Sequence, residues 1–158
     1  MSVKIKIGVI IVNKKDEILL IKEKLEDKPV SLWNIIKGTY GDNGNETIFE
    51  AAIRECQEEA GAKVNLTNLL GCYIAQRPDK IRIQFNFLAK IIEGKPTLAD
   101  KKEQELRDED ISALKWFNKE DLMKISPDKF ISNRTYVAVR DWIKKESYPI
   151  DAIKHTEL

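Results

Sequence analysis

The chain has 158 residues, with 27 lysines and arginines against 26 acidic residues, a net charge of +1, and 42% hydrophobic and 34% charged side chains. This balance belongs to a folded chain rather than a disordered one, and it gives no whole-molecule field for a nucleic-acid polymer or a membrane surface. Two cysteines, Cys56 and Cys72, exclude a disulfide framework and lack metal-type spacing. No apolar run approaches the roughly 18 residues of a membrane span, and Met1–Ile7 alternates lysines with apolar residues, unlike a signal peptide. One cytoplasmic domain over residues 1–158 is expected.

In chain order, Val3, Ile5 and Ile7 alternate with polar residues, and Val9 to Val12 is continuously apolar, as in a strand entering a sheet covered on both faces. Asn13 to Asp16 reads as a turn and Glu17 to Lys22 as the returning strand of a hairpin. Lys24 to Ser31, charged and interrupted by Pro29, reads as a loop, and Leu32 to Ile36 as one short strand. Gly38 to Glu46 has three glycines, two asparagines and an aspartate, which is loop chemistry. A helix follows over Thr47–Ala60 and ends at Gly61. Val64–Gln76 and Ile81–Ile92 predict two long strands around the turn Arg77-Pro78-Asp79-Lys80. Leu98–Asp110 is a charged stretch, Ala113–Phe117 a further strand, Lys119–Ile125 a short helix and Ser132–Lys145 a longer one. Strands and helices in this mixed order predict an α/β or α+β domain layered around a mixed sheet.

The helix at 47–60 carries the chemistry. Thr47 with Glu50 three positions on makes a capping box, and Ile48, Ala51, Ala52, Ile53 and Cys56 form its apolar stripe. Glu55, Glu58 and Glu59 fall at i, i+3 and i+4, on one face. Like charges at that spacing cost roughly 0.2–0.5 kcal/mol per pair. The negative end of the helix dipole disfavours each exposed anion by a further roughly 0.3–1 kcal/mol. A hard divalent cation bound by carboxylate oxygens relieves both penalties. A solvated glutamate-rich face is the alternative explanation of the trio taken alone.

The run Arg54-Glu55-Cys56-Gln57-Glu58-Glu59-Ala60-Gly61-Ala62 resembles the second half of the Nudix box, and Glu46 stands eight positions before Arg54, where that pattern has a glutamate. The first half departs from it: seven residues, Thr39 to Asn45, separate Gly38 from Glu46 where the family has five, and Ile36 replaces a common proline. Ile111–Leu122 resembles the late strand and helix of Nudix domains. Leu32-Trp33-Asn34, and the stretch from Arg134 through Tyr148-Pro149 to Ile153, are similar to the small bacterial Nudix phosphatases that act on thiamine-pyrimidine diphosphate and on nucleoside di- and triphosphates.

The resemblance implies a MutT-like α/β/α sandwich around a mixed sheet. It also implies a hydrolase that uses Mg2+, or Mn2+, to cleave a phosphoanhydride in a small nucleotide or other organic diphosphate by attack of water at phosphorus. Glu55, Glu58 and Glu59 would hold metal, with Glu105 chosen from the acidic stretch as an added ligand. Glu55 is also the candidate base, Glu46 and Arg54 the pair that orients loop and helix, and Gly38 the point of close backbone approach. Arg77, Lys80 and Arg134 are the candidate phosphate contacts, with Arg82 beside them. Trp33, Tyr73, Phe85 and Phe87 offer stacking surfaces, although alternating aromatics in strands are more often core. His155, alone near the end, receives no catalytic role, and its isolation argues against the histidine-rich site of the related isopentenyl diphosphate isomerases. A monomer or homodimer binding no nucleic-acid polymer is expected. The alternatives are a non-catalytic nucleotide-sensing module, suggested by the lengthened loop, and a dinucleoside polyphosphate hydrolase.

Overall fold

The continuous apolar runs in the first two strands have a topological cause, visible in the computed structural model of residues 1–158. Strand β1 (Ser2–Ile11) sends Ile7, Val9 and Ile11 into one core and Ile10 into another, and β2 (Ile18–Glu23) divides Leu19 and Ile21 from Ile18 and Leu20 in the same way. Helix α1 (Ile48–Ala60) covers the first core with Ile48, Ala51, Ala52, Cys56 and Ala60. Helices α3 (Lys119–Met123) and α4 (Asn133–Ile143) cover the second with Leu122, Ala138, Val139 and Trp142. With both faces covered, neither strand face can be polar along its buried length. The expected layering of helices around a mixed sheet is therefore present.

The expected hairpin is not. Asn13 does form the turn, its side-chain oxygen accepting from the Lys15 and Glu17 amides at 2.9 Å. Only one bridge follows, Val12 with Ile18, before β1 and β2 separate into different sheets. The larger sheet runs in the order β4-β1-β6-β5-β8 and the smaller in the order β3-β2-β7. These contain β3 (Leu32–Asn34), β4 (Ile36–Thr39), β5 (Lys63–Arg77), β6 (Lys80–Glu93), β7 (Ile111–Phe117) and β8 (Tyr148–Pro149). The pair β1–β6 is parallel and the rest are antiparallel. The single strand expected at Leu32–Ile36 is likewise divided: β3 pairs with β2, β4 pairs with β1, and buried Ile35 is the step between them.

Local chemistry fixes α1 as expected. The Thr47 hydroxyl accepts from the Glu50 amide at 3.1 Å, Glu50 accepts from the Thr47 amide at 3.2 Å, and Gly61 closes the helix at φ 62°. A third contact comes from 107 residues away, where His155 Nε2 accepts from the Ile48 amide at 3.1 Å. His155 packs edge-on to Phe49, with ring centroids 5.7 Å apart. The terminal histidine is therefore part of the helix cap. The stretch 98–110 is not a plain charged loop: it forms α2 (Lys101–Leu106), capped by Asp100. Buried Gln104 holds it to β7 by exchanging hydrogen bonds with the Ile111 amide and carbonyl at 2.7 and 3.1 Å. Phe87 is fully buried against Phe49, and Trp33 stacks edge-on to Phe117, so both are packing residues. Replacing Thr47 by Ala should lower unfolding free energy by about 1 kcal/mol. Urea denaturation would measure this, and Thr47→Ser should retain most of the stability.

Candidate active site

Helix α1 lies against β4, the edge strand of the larger sheet, so its last turns present carboxylates to a strand with an open side. Glu59, only 4% exposed, accepts from the Lys37 backbone amide at 3.0 Å and satisfies a donor that no neighbouring strand reaches. Gly38 is the next residue, and a Cβ there would stand 2.1 Å from Glu55 Oε1 and 2.6 Å from its Cγ. A glycine is required here by that close approach rather than by a turn conformation.

Arg54 organises the acidic face. Its Nε and Nη2 donate to the two Glu46 carboxylate oxygens at 2.7 and 3.1 Å, and Nη1 reaches Glu55 Oε1 at 3.0 Å and Glu58 Oε2 at 3.2 Å. The paired fork holds the Glu46 carboxyl below its ordinary range. Burial acts in the opposite direction deeper in, pushing the Glu55 carboxyl up to about 7, with Glu58 and Glu109 adding to it, and holding Glu59 well above the usual carboxylate range, with Glu55 adding to it.

The cleft is open, about 530 Å³ in volume, and no hydrophobic side chain lines it. Besides Gly38, Arg54, Glu55, Glu58 and Glu59 it contains Lys6, Glu23, Lys37, Arg107 and Glu109. Glu23 enters where a register shift at Lys22/Glu23 interrupts the pairing of β2 with β7, the kind of bulge that re-aims a side chain. Glu109 is placed by Arg107, which donates to Glu109 Oε1 and to the Glu58 carbonyl, both at 2.9 Å. That second bond satisfies one of the carbonyls left free at the C-terminal end of α1 and brings a cation to its negative pole. Glu105 lies on the exposed side of α2 and does not line the cleft. Helix geometry turns Glu105 outward, and the turn after it brings Glu109 in. Glu23, Lys37 and Lys6 come from three separate strands, and no local sequence signal links them to the box.

The donor set suits a hard divalent ion. It is all carboxylate oxygen, Glu109 Oε2 is buried without a hydrogen-bond partner, and burial raises the carboxyls of Glu23, Glu55, Glu59 and Glu109 together. No three acidic side chains converge on a single point in this arrangement, while Arg54 engages an oxygen each of Glu55 and Glu58.

The candidate phosphate contacts also come together. Arg77, Lys80 and Arg134, joined by Arg82, line a separate open pocket of about 300 Å³ on neighbouring strands of the same sheet. Gly38 belongs to the acidic cleft and not to this pocket.

A double-sided core, a carboxylate helix against a sheet edge and the intact Arg54–Gly61 run together define a Nudix protein. The NUDIX domain description matches residues 3–138, and the chain belongs to that family. It is an enzyme of the phosphoanhydride-hydrolysing class, and the family generally uses divalent metal ions. It is 26% identical over 144 residues to Phosphatase NudJ of Shigella boydii, covering 90% of this chain and 86% of that one. The fold is similar to a Nudix hydrolase from Nitrosomonas europaea, with TM-score 0.78, 19% identity and 98% of each chain covered. It is also similar to a MutT Nudix hydrolase from Burkholderia pseudomallei, with TM-score 0.68, 23% identity, and 89% of this chain and 98% of that one covered. No helix is long and apolar enough to cross a membrane.

Two outcomes follow from this geometry. Gly38→Ala should displace the Glu55 carboxylate and lower kcat/KM on the order of 100-fold, as an ångström-scale misplacement does. Steady-state kinetics beside a thermal melt would separate this from unfolding. In chelator, the buried carboxyls bind protons in the folded state that the unfolded chain has already released. Stability should therefore fall as pH rises from about 4.5 to about 7. Urea midpoints across that window should show the decline, and saturating Mg2+ should flatten it.

Proposed function

We propose that this protein hydrolyses a phosphoanhydride in a small nucleoside di- or triphosphate, or another organic diphosphate, with Mg2+ as the working ion and Mn2+ as a substitute. The observation that carries the reading is the apolar-free cleft that Glu55, Glu58 and Glu59 line together with Glu23 and Glu109. Those carboxylates would hold the metal, with Glu109 in the place given to Glu105 on sequence alone. A bound divalent cation neutralises phosphate oxygens and lowers the pKa of a coordinated water.

The protein's own groups do the rest. Glu55, beside Gly38, is the candidate general base, since its carboxylate faces the cleft where the glycine leaves room. Arg54 clamps Glu46 and keeps Glu55 and Glu58 aligned, and is a positioning residue. Lys37 and Lys6 line the same cleft and supply cations for the substrate phosphates. Arg77, Lys80 and Arg134 lie beyond, in reach of the substrate's remaining anionic parts. Their gathering into a pocket rather than a long stripe favours a small molecule over a nucleic-acid polymer. Similarity to a protein named as a phosphatase supports release of orthophosphate from a terminal position. The sensing alternative rests on the lengthened loop alone, while every glutamate of the box is present and lies in or beside the cleft.

The test is a diphosphate panel, including dinucleoside polyphosphates, assayed with Mg2+ and with identification of the product. Hydrolysis should stop in chelator, and Glu58→Gln/Glu59→Gln should lower kcat/KM about 1000-fold, roughly 4 kcal/mol of transition-state stabilisation. Wild-type turnover no greater than that of the double variant on every substrate would overturn the assignment. Pyrophosphate as the main product would overturn the terminal-phosphate reading alone.

A further inference from the structure

The basic pocket contains more positive charge than the protein neutralises. Strand β1 pairs with β6 so that Lys4 faces Arg82 and Lys6 faces Gln84, and with β4 so that Lys6 faces Thr39 and Gly8 faces Lys37. Side chains two residues apart share a sheet face, so Lys37, Lys6 and Arg82 all project on the face opposite α1. Arg134, near the start of α4, meets them there. Burial, with Arg134 and Arg82 nearby, holds the Lys37 amine below its ordinary range although Glu23 and Glu59 act the other way, and burial and Arg82 do the same to Arg134 without such opposition.

None of these cations is in an ion pair. The four ion pairs of the structure belong to Arg54 and Arg107. Arg82 Nε and Arg134 Nε are buried and donate to nothing. The closest acid along the chain, Asp79 in the β5–β6 turn, makes no ion pair and does not line the pocket. Two half-buried guanidinium groups with free donors, and with Arg77 and Lys80 at the rim, suit a compact oxyanion whose oxygens can each accept from a planar fork.

The diphosphate at the carboxylates does not account for this pocket. The two sites share no lining residue. From the cleft, Lys6 and Lys37 lead along this face to Arg82 and Arg134, so the organic part of a diphosphate held at the carboxylates would lie beside the arginines. We propose that the substrate carries a second anionic group, a phosphate monoester, on its organic part, and that Arg82 and Arg134 bind it while Arg77 and Lys80 screen its outer side. The inference rests on the diphosphate-hydrolase reading for its orientation: the cleaved group lies at the glutamates and the retained phosphate at the arginines.

Binding and turnover test the two ideas separately. Protein in EDTA is titrated with inorganic phosphate and followed by phosphorus NMR line width. Saturable binding is expected in the wild type and in Glu58→Gln/Glu59→Gln, and binding at least tenfold weaker in Arg82→Gln/Arg134→Gln. If that variant misfolds on a thermal melt, Arg77→Gln/Lys80→Gln at the exposed rim should still weaken binding several-fold. Absence of saturable binding, or equal binding in the arginine variants, overturns the subsite. With Mg2+, ribose 1-diphosphate is then compared with its 5-phosphate derivative. The ratio of their kcat/KM values should favour the phosphorylated sugar by tenfold or more, through KM, and should collapse towards one in Arg82→Gln/Arg134→Gln. A ratio near one in the wild type overturns the substrate assignment. Phosphate binding without any diphosphate hydrolysis would overturn the catalytic reading and leave the anion site standing.

Discussion

Repulsion among carboxylates at the negative end of one helix is the constraint around which the rest of the molecule is arranged. Glu55 and Glu59 are buried there and Glu58 is half-buried, a combination that costs free energy through desolvation, mutual charge and helix dipole at once. Each neighbouring element answers part of that cost. Arg54 bridges Glu46, Glu55 and Glu58, the Lys37 amide at the sheet edge donates to Glu59, and Arg107 caps the Glu58 carbonyl. The compensation is incomplete, since burial still raises Glu55 and Glu59. A site left short of positive charge in this way is prepared for a cation.

A neighbouring part of the same sheet shows the reverse imbalance. There three arginines and Lys80 gather without carboxylate partners. Two unneutralised regions of opposite sign give the surface a direction along which an anionic substrate can lie. One end takes it through a cation and the other through guanidinium donors. Net charge of +1 conceals this polarity, because the two regions cancel in the sum.

Division of the strands between two sheets makes the arrangement possible. A plain β1–β2 hairpin would have kept Glu23 at the end of a single sheet. Separation after the Val12–Ile18 bridge sends β2 to pair with β7, and the bulge at Glu23 then faces the α1 carboxylates. The step at Ile35 does the same for Lys37 and Gly38, moving the chain from the small sheet to the edge of the large one. Both departures from the simplest strand reading occur next to cleft residues.

The features legible in the sequence were those set by short-range chemistry. The capping box at Thr47, the left-handed Gly61, the one-sided glutamate spacing and the alternation of the long strands all depend on residues within a few positions of one another, so residue order alone determined them. The Arg54–Glu46 pair belongs with them, because a helix turn and its preceding loop bring those residues together. What only the tertiary structure decided were contacts across long separations. His155 capping α1 from 107 residues away is one. Glu109 rather than Glu105 entering the cleft is another, set by the Gln104 clamp and the reach of Arg107. The convergence of Arg82 with Arg134 is a third. Sequence spacing carries no information about which strand ends will adjoin, since that depends on how two cores pack on either side of the sheets.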